Sequence, residues 1–526
     1  MLMHPKKRKR ELMIKIFIAT ILVVFSFSSY ASDRIDAVYQ KNCASCHGVN
    51  RLGGMGPALL PENLKRLRKN KAIKVIANGR AATQMPAFAK TISNKDIQAL
   101  ADYVYKPLPQ LPTWGIDEIK RSHLQHYKTS NLSNKPTFKA DMLNLFIVVE
   151  LGDHHATLLD GDKFEPIHRF KTRFALHGGP KYSPDGRYVY FASRDGWISK
   201  FDIYNLKTVA EIRAGINTRN LAISGDGKFV LVGNYLPHSV VVLDAENLNP
   251  IKVIPVKDKN GKSSRVSAVY AAPPRNSFIV ALKDIPEVWE IYYNDKHEPI
   301  YNGLVHDYRH KEGIADTSSF PIRRIELDDY LDDFQFDQSY THLMGAARNA
   351  KNGQVVNLNI RRKVADLELT GLPHLGSGIT WQYKGHPVMA TPNFKKAEIS
   401  IIDMTTWKTI KRIKTLGPGF FMRSHENSRY AWADVFFGPN NEAVHIIDKE
   451  TLEIVKTLKP SPGKNAAHVE FDRYGKHVLL SVWDMDGELI IYDADTLKEI
   501  KRLPMKKPSG KYNVYNKINR SAGTSH

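Results

Sequence analysis

From about residue 140 to the C-terminus the chain alternates apolar and polar positions in short runs, the period of strands with one buried face. One phrase recurs: an apolar strand ending in Asp, a turn that usually holds Leu, then a strand mixing basic and apolar residues. It reads ATLLDGDKFEPIHRF, ISKFDIYNLKTVAEI, VVVLDAENLNPIKVI, ISIIDMTTWKTIKRI, VHIIDKETLEIVKTL and LIIYDADTLKEIKRL. The marker residues are Asp160, Asp202, Asp244, Asp403, Asp448 and Asp493, so adjacent copies lie 42 or 45 residues apart. Two weaker copies, EVWEIYYNDKHEPI and QVVNLNIRRKVADL, fill the gap and bring the count to eight. A second phrase, SPDGRYVYF, SGDGKFVLV and DRYGKHVLL, supplies a turn before an inner strand. Strands repeating at roughly 40–45 residues predict an all-β propeller, here of eight blades around a hollow that suits a flat ligand. Residues 293–320 read as an insertion between blades.

Before the repeat the period turns helical. Residues 33–42 form a short helix, and SNKDIQALADYVY has Ser93 as N-cap, Asp96 in the first turn and Ile97, Leu100, Ala101 and Val104 on one face. A small all-α domain therefore precedes the propeller. The prolines of KPLPQLPTWG make a stiff linker between them. At the N-terminus, basic residues, an apolar run over 16–27 and Ser29-Tyr30-Ala31 read as a cleaved export signal, too short for a span of about 20 residues. Met13 is a second candidate start. The expected layout is signal 1–31, helical domain 32–106, linker 107–115 and propeller 116–526, with a periplasmic location and no stable membrane insertion.

The net charge of +22 admits nucleic acid, an anionic surface or an acidic small molecule as partner. The lysines are scattered and the chain reads as exported, so nucleic acid is set aside.

The only two cysteines fall in KNCASCHGVN. Cys43, Cys46 and His47 form the Cys-x-x-Cys-His attachment motif of a covalent c-type haem, with His47 as an iron ligand. Over residues 33–105 the order of elements resembles class I cytochrome c. That resemblance makes Met85, which is 38 residues after His47 and followed by Pro86, the second axial ligand, with Met55 as the alternative.

A cytochrome c domain followed by an eight-bladed propeller resembles the cytochrome cd1 family. The stretches HGGPKYSPDGRYVYFASRDG, RNLAISGDGKFVLVGNYLPH, RVSAVYAAPPRNSFIVALKD and GKYNVYN carry the likeness over residues 140–526. The family includes nitrite reductases and haem d1 biosynthesis proteins. The wording is nearer the biosynthetic branch of NirN type, which has a cytochrome domain and converts dihydro-haem d1 to haem d1, than the NirF type, which lacks one. Reductases use two distal histidines. One matches His374, and the other falls near Asp332, where there is no histidine. The likeness implies His468 as a ligand to the substrate iron, His177 as a ligand or wall on the other face, His374 as base and Tyr512 as a polarising hydroxyl. It also implies Arg194, Arg219, Tyr235 and Arg265 as partners of the carboxylates, since arginine grips a carboxylate with two parallel bonds. The expected cofactors are covalent haem c and non-covalent haem d1 or dihydro-haem d1. An external electron acceptor is implied, and a cd1 nitrite reductase is the candidate recipient of the product. A nitrite reductase and a haem d1 carrier without chemistry are the alternative functions.

Overall fold

The computed structural model describes residues 34–519 except 55, 65–66, 80–84, 111, 302–314, 347–351 and 370. The proposed signal and Met55 lie outside the described residues. Internal contacts divide the chain into two units, the first ending at Leu111 and the second running from Pro112.

The first unit is helical. Ser93 caps the helix Asn94–Tyr105 by accepting from the Asp96 amide, and Ile97, Leu100, Ala101 and Val104 are buried as the period predicts. Ile97, Leu100 and Val104 pack with Ile35, Tyr39, Ala44 and Ile92 into one small core. The helix Lys69–Asn78 packs beside it.

Among the described residues the second unit holds eight antiparallel sheets, seven of four strands and one of five. Each sheet runs from the axis outwards in chain order with two exceptions: the last strand, Pro508–Asn513, is innermost in the sheet begun by Leu145–Glu150, and Leu124–Gln125 adds a fifth strand outside Lys207–Arg213. Tyr512 pairs with Ile147 there. The strand Pro508–Asn513 thus closes the ring on the first blade.

The repeated aspartates have a local cause. Each ends the third strand of a blade, and its Oδ1 accepts two amides of the turn that follows: Tyr204 and Asn205 for Asp202, Glu246 and Asn247 for Asp244, Glu450 and Thr451 for Asp448. The residue four positions after each marker, Leu206, Leu248 or Leu452, then adopts positive φ, and the chain reverses into the outermost strand. Apolar side chains between neighbouring blades complete the core, with Trp289 and Trp432 fully buried.

Three details differ from the sequence reading. The SPDG-type turns lead from the innermost strand to the second, as between Lys181–Tyr182 and Tyr188–Ala192. The insertion lies inside a blade, between its third strand Glu287–Tyr292 and its outer strand Ile322–Glu326. It replaces the tight Asp turn, which is why that copy looked weak. The end of the linker already belongs to the propeller unit: Trp114 donates to the Arg213 carbonyl, and the helix Ile116–Arg121 packs on the outer strands Lys207–Arg213 and Pro250–Pro255.

Candidate functional site

In the helical unit, the short helix Ala44–His47 places both thiols and His47 on one turn. The cysteines are not joined to each other. His47 is buried, and its Nδ1 lies 2.8 Å from the Pro57 carbonyl, which makes Nδ1–H the donor and leaves the Nε2 lone pair for a metal. This second bond fixes the ring. A Cβ at Gly56 would fall 2.7 Å from the imidazole, so glycine is needed for His47 to sit there. The half-buried Met85 follows Gly79, where a Cβ would meet the Met85 carbonyl at 2.7 Å; Phe88 and Ala89 amides bond back to the Ile76 and Ala77 carbonyls. The donor set fits a covalently held haem. Gly56→Val is expected to push the His47 ring aside, giving protein that carries haem but lacks the sharp low-spin absorption bands; unchanged bands would show that the ring has room.

In the propeller, most of the residues named from the sequence gather at one end of the axis, where innermost strands begin and second strands finish. His177 is held on both nitrogens: Nδ1–H donates to the Arg219 carbonyl at 2.7 Å, and Nε2 accepts from Arg194 Nη2 at 2.7 Å, with Arg219 Nη1 at 3.1 Å. Both ring nitrogens are thus engaged within the protein. Arg265 forms a fork with Asp284, at 2.8 Å from Nε and 2.5 Å from Nη2, and lies over the Tyr235 ring. Its two-bond grip is therefore already used inside the protein, whereas Arg194 and Arg219 stand at the crevice through His177. Arg265 holds the Asp284 carboxyl down at about 2, against the opposing effect of burial.

His468 is unlike these. It has φ +55° in the innermost strand Ala466–Phe471, at a bulge where pairing shifts between Ala467 and Val469. A non-glycine residue there is uncommon, and a bulge re-aims a side chain. The ring is almost fully buried between Phe421 and Tyr512, at centroid distances of 4.6 and 5.1 Å, and among the described residues its buried Nδ1 has no hydrogen-bond partner. Burial, with Lys511, Arg423 and Lys517 near, holds its pKa well below that of an ordinary histidine. A neutral imidazole with an unpartnered nitrogen is the form that binds iron. Its backbone is fixed from both sides. The amide donates to Asp434 Oδ2 at 3.2 Å, the carbonyl accepts from buried Lys511, and Asp434 Oδ1 accepts the Phe420 and Phe421 amides at 2.7 and 3.0 Å.

His374 precedes the innermost strand Ile379–Tyr383. Its Nδ1–H donates to the Phe420 carbonyl at 2.6 Å, which leaves Nε2 as the basic atom, with Asp333 Oδ2 at 3.6 Å. Burial lowers its pKa while Asp333 raises it, and Arg219 and Arg423 from other blades lower it further. The His374 ring therefore lies within electrostatic reach of cations from other blades. Tyr512 packs against Gly179, where a Cβ would fall 2.8 Å from its ring, and burial pushes its phenol up to about 12.

The sequence reading missed an aromatic wall: Phe394, Phe420, Phe421, Phe436, Phe437 and Trp483 stack at centroid separations of 4.3–6.3 Å. The runs GPGFF and DVFFG, which flank the first two strands of one blade, were its visible signal. Asp332, near which the resemblance would place a reductase's second distal histidine, is paired with Lys283.

Arginines at one side, stacked rings at the other and an imidazole with an unpartnered nitrogen facing the axis fit a flat, carboxylate-bearing macrocycle with a central metal. Comparison with known proteins agrees. Residues 140–517 match the Cytochrome D1 heme domain model, and residues 31–104 match that of Cytochrome C oxidase, cbb3-type, subunit III. The chain is 54% identical over 491 residues, 93% of its length and 95% of the relative's, to the dihydro-heme d1 dehydrogenase of Pseudomonas aeruginosa. It is 26% identical to a nitrite reductase of Stutzerimonas stutzeri, covering 92% of each chain. A solved structure described as dihydro-heme d1 dehydrogenase NirN in complex with DHE superposes with TM-score 0.83 at 53% identity, covering 92% of this chain and 99% of that one.

Proposed function

Because the chain belongs to the family defined by the cytochrome D1 heme domain, we propose that it is an oxidoreductase of haem d1 biosynthesis that oxidises dihydro-haem d1 to haem d1. The observation that carries this is a single oriented base, His374, beside an arginine-rimmed crevice in which the second distal position is Asp332 tied to Lys283. Nitrite reduction to nitric oxide consumes protons and is served by two acids. Oxidation of a propionate to an acrylate releases protons and needs a base.

The substrate loses two C–H bonds, gains one C=C bond, and gives up two electrons and two protons. His468 ligates the substrate iron, with His177 forming the opposite wall. Arg194 and Arg219 bind carboxylates, Arg265 with Tyr235 braces that side, and Tyr512 donates a hydrogen bond to the macrocycle. His374 Nε2 accepts the side-chain proton, and Asp333 stabilises the imidazolium so formed. Haem c, bound by Cys43, Cys46 and His47 with Met85 as second ligand, supplies one-electron redox chemistry. An external acceptor takes the electrons in turn, and a cd1 nitrite reductase is the recipient of the product. The basic and apolar N-terminus supports export to the periplasm by a signal cleaved after about Ala31, with residues 32–106, 107–115 and 116–526 as cytochrome, linker and propeller. No helix among the described residues is long and apolar enough to cross a membrane.

Reduced protein loaded with haem d1 is expected to turn nitrite over slowly or not at all in an anaerobic nitric oxide assay. Fast, repeated formation of nitric oxide would replace the dehydrogenase reading with the reductase one.

A further inference from the structure

The reaction assigned above releases two protons, and the site offers one oriented base. A base that serves twice must be emptied between uses, and a macrocycle lying over the crevice covers the near exit.

The far end of the axis has an exit of its own. A cavity of about 240 Å³ opens among the turns that join innermost to second strands, lined by exposed Pro184, Pro273, Gln338 and Asn519 at its rim. Deeper, its walls include Lys181 and Tyr270. Tyr270 reaches from this cavity to the base: its hydroxyl donates to Asp333 Oδ1 at 3.0 Å, while the other oxygen of that carboxylate lies 3.6 Å from His374 Nε2. The Gly376 amide donates to Asp333 Oδ2 at 2.9 Å and keeps the carboxylate in place. Three innermost strands or their leading loops thus contribute to one file of proton-carrying groups, running from the crevice to the opposite mouth.

Resting on the dehydrogenase reading, we propose that Asp333 and Tyr270 carry protons from His374 through the propeller axis to the cavity bordered by Lys181, and from there to solvent. The N–H bond at His374 Nε2 breaks as an O–H bond forms at Asp333. The protonated carboxyl then turns to present its O–H to Tyr270, whose hydroxyl swings away from Asp333 Oδ1; the Asp333 O–H bond breaks as a new O–H bond forms at the Tyr270 oxygen, and the original Tyr270 hydrogen passes to water or to the Lys181 amine. Each transfer restores neutral His374, and no electron moves along the file. Lys181 suits the outer end, because burial with Arg423 near lowers it to about 8 and leaves part of it as neutral amine near pH 7–8.

The test compares wild type with Tyr270→Phe and Lys181→Met in anaerobic single turnover with dihydro-haem d1, run in water and in heavy water, with substrate affinity and haem c spectrum measured alongside. Tyr270→Phe keeps the ring and removes only the hydroxyl. It is expected to bind substrate normally, slow conversion about tenfold or more, enlarge the solvent isotope effect, and regain rate on adding imidazole as a small proton carrier. Lys181→Met is expected to show a smaller loss, also regained with imidazole. An unchanged rate and isotope effect in Tyr270→Phe would overturn the relay, and so would a loss that imidazole leaves untouched while affinity is intact. Failure of the wild type itself to convert dihydro-haem d1 would overturn the dehydrogenase reading, and the relay with it.

Discussion

Replacing His374 by alanine is expected to lower the rate of dihydro-haem d1 oxidation by about 10²–10⁴-fold, the range for loss of a positioned general base, while substrate affinity changes little. The effect is large because, among the described residues of the crevice, His374 has its Nδ1–H bound to the Phe420 carbonyl, leaving Nε2 as the acceptor. His177 cannot stand in for it, since both its nitrogens are engaged. His468 cannot either, because it is assigned to the iron. The affinity is set elsewhere, by the arginines and the aromatic wall. Anaerobic binding titration and single-turnover absorption measured on the same variant separate the two. A variant that converts substrate at the wild-type rate would remove His374 from the chemistry.

The second large effect is structural. Asp434→Ala is expected to destabilise the propeller by several kcal/mol, because it strips three backbone amides, those of Phe420, Phe421 and His468, of their acceptor at a fully buried place. An unsatisfied buried donor costs about 1–3 kcal/mol. The same loss frees the bulge that holds His468 in its left-handed conformation, so the variant should also lose the spectral signature of a histidine-bound substrate iron. Asp434→Asn retains an oxygen for the two phenylalanine amides and should fall between wild type and alanine. Chemical denaturation of the three proteins in parallel measures the order. Equal midpoints for alanine and wild type would mean that those amides find other acceptors.

What the sequence made legible is what is decided locally. The marker aspartates could be read because each satisfies its own turn, two and three residues on, whatever the rest of the chain does. Ser93 and the buried face of its helix were visible for the same reason. The Cys-x-x-Cys-His motif shows because one turn of helix brings its thiols and imidazole together. The residues that prepare the crevice are of another kind. Asp434 matters through amides in the loop that leads into its own blade and in the innermost strand of the following one, and Asp333 through Tyr270 and His374 from separate blades. Such meetings arise only when eight sheets close into a ring, and no spacing along the chain announces them. The bulge at His468 is likewise a product of strand register. Arg265 shows the converse: its residue type suggested a carboxylate grip, and the fold supplied Asp284 as the carboxylate.

The most direct test is anaerobic mixing of the oxidised, haem c-loaded protein with dihydro-haem d1, followed by absorption at the haem c bands and by extraction of the pigment. The account predicts that haem c becomes reduced as the pigment loses two hydrogens, and that the two signals rise together. Tight binding with haem c still oxidised and the pigment recovered unchanged would contradict it and leave a carrier.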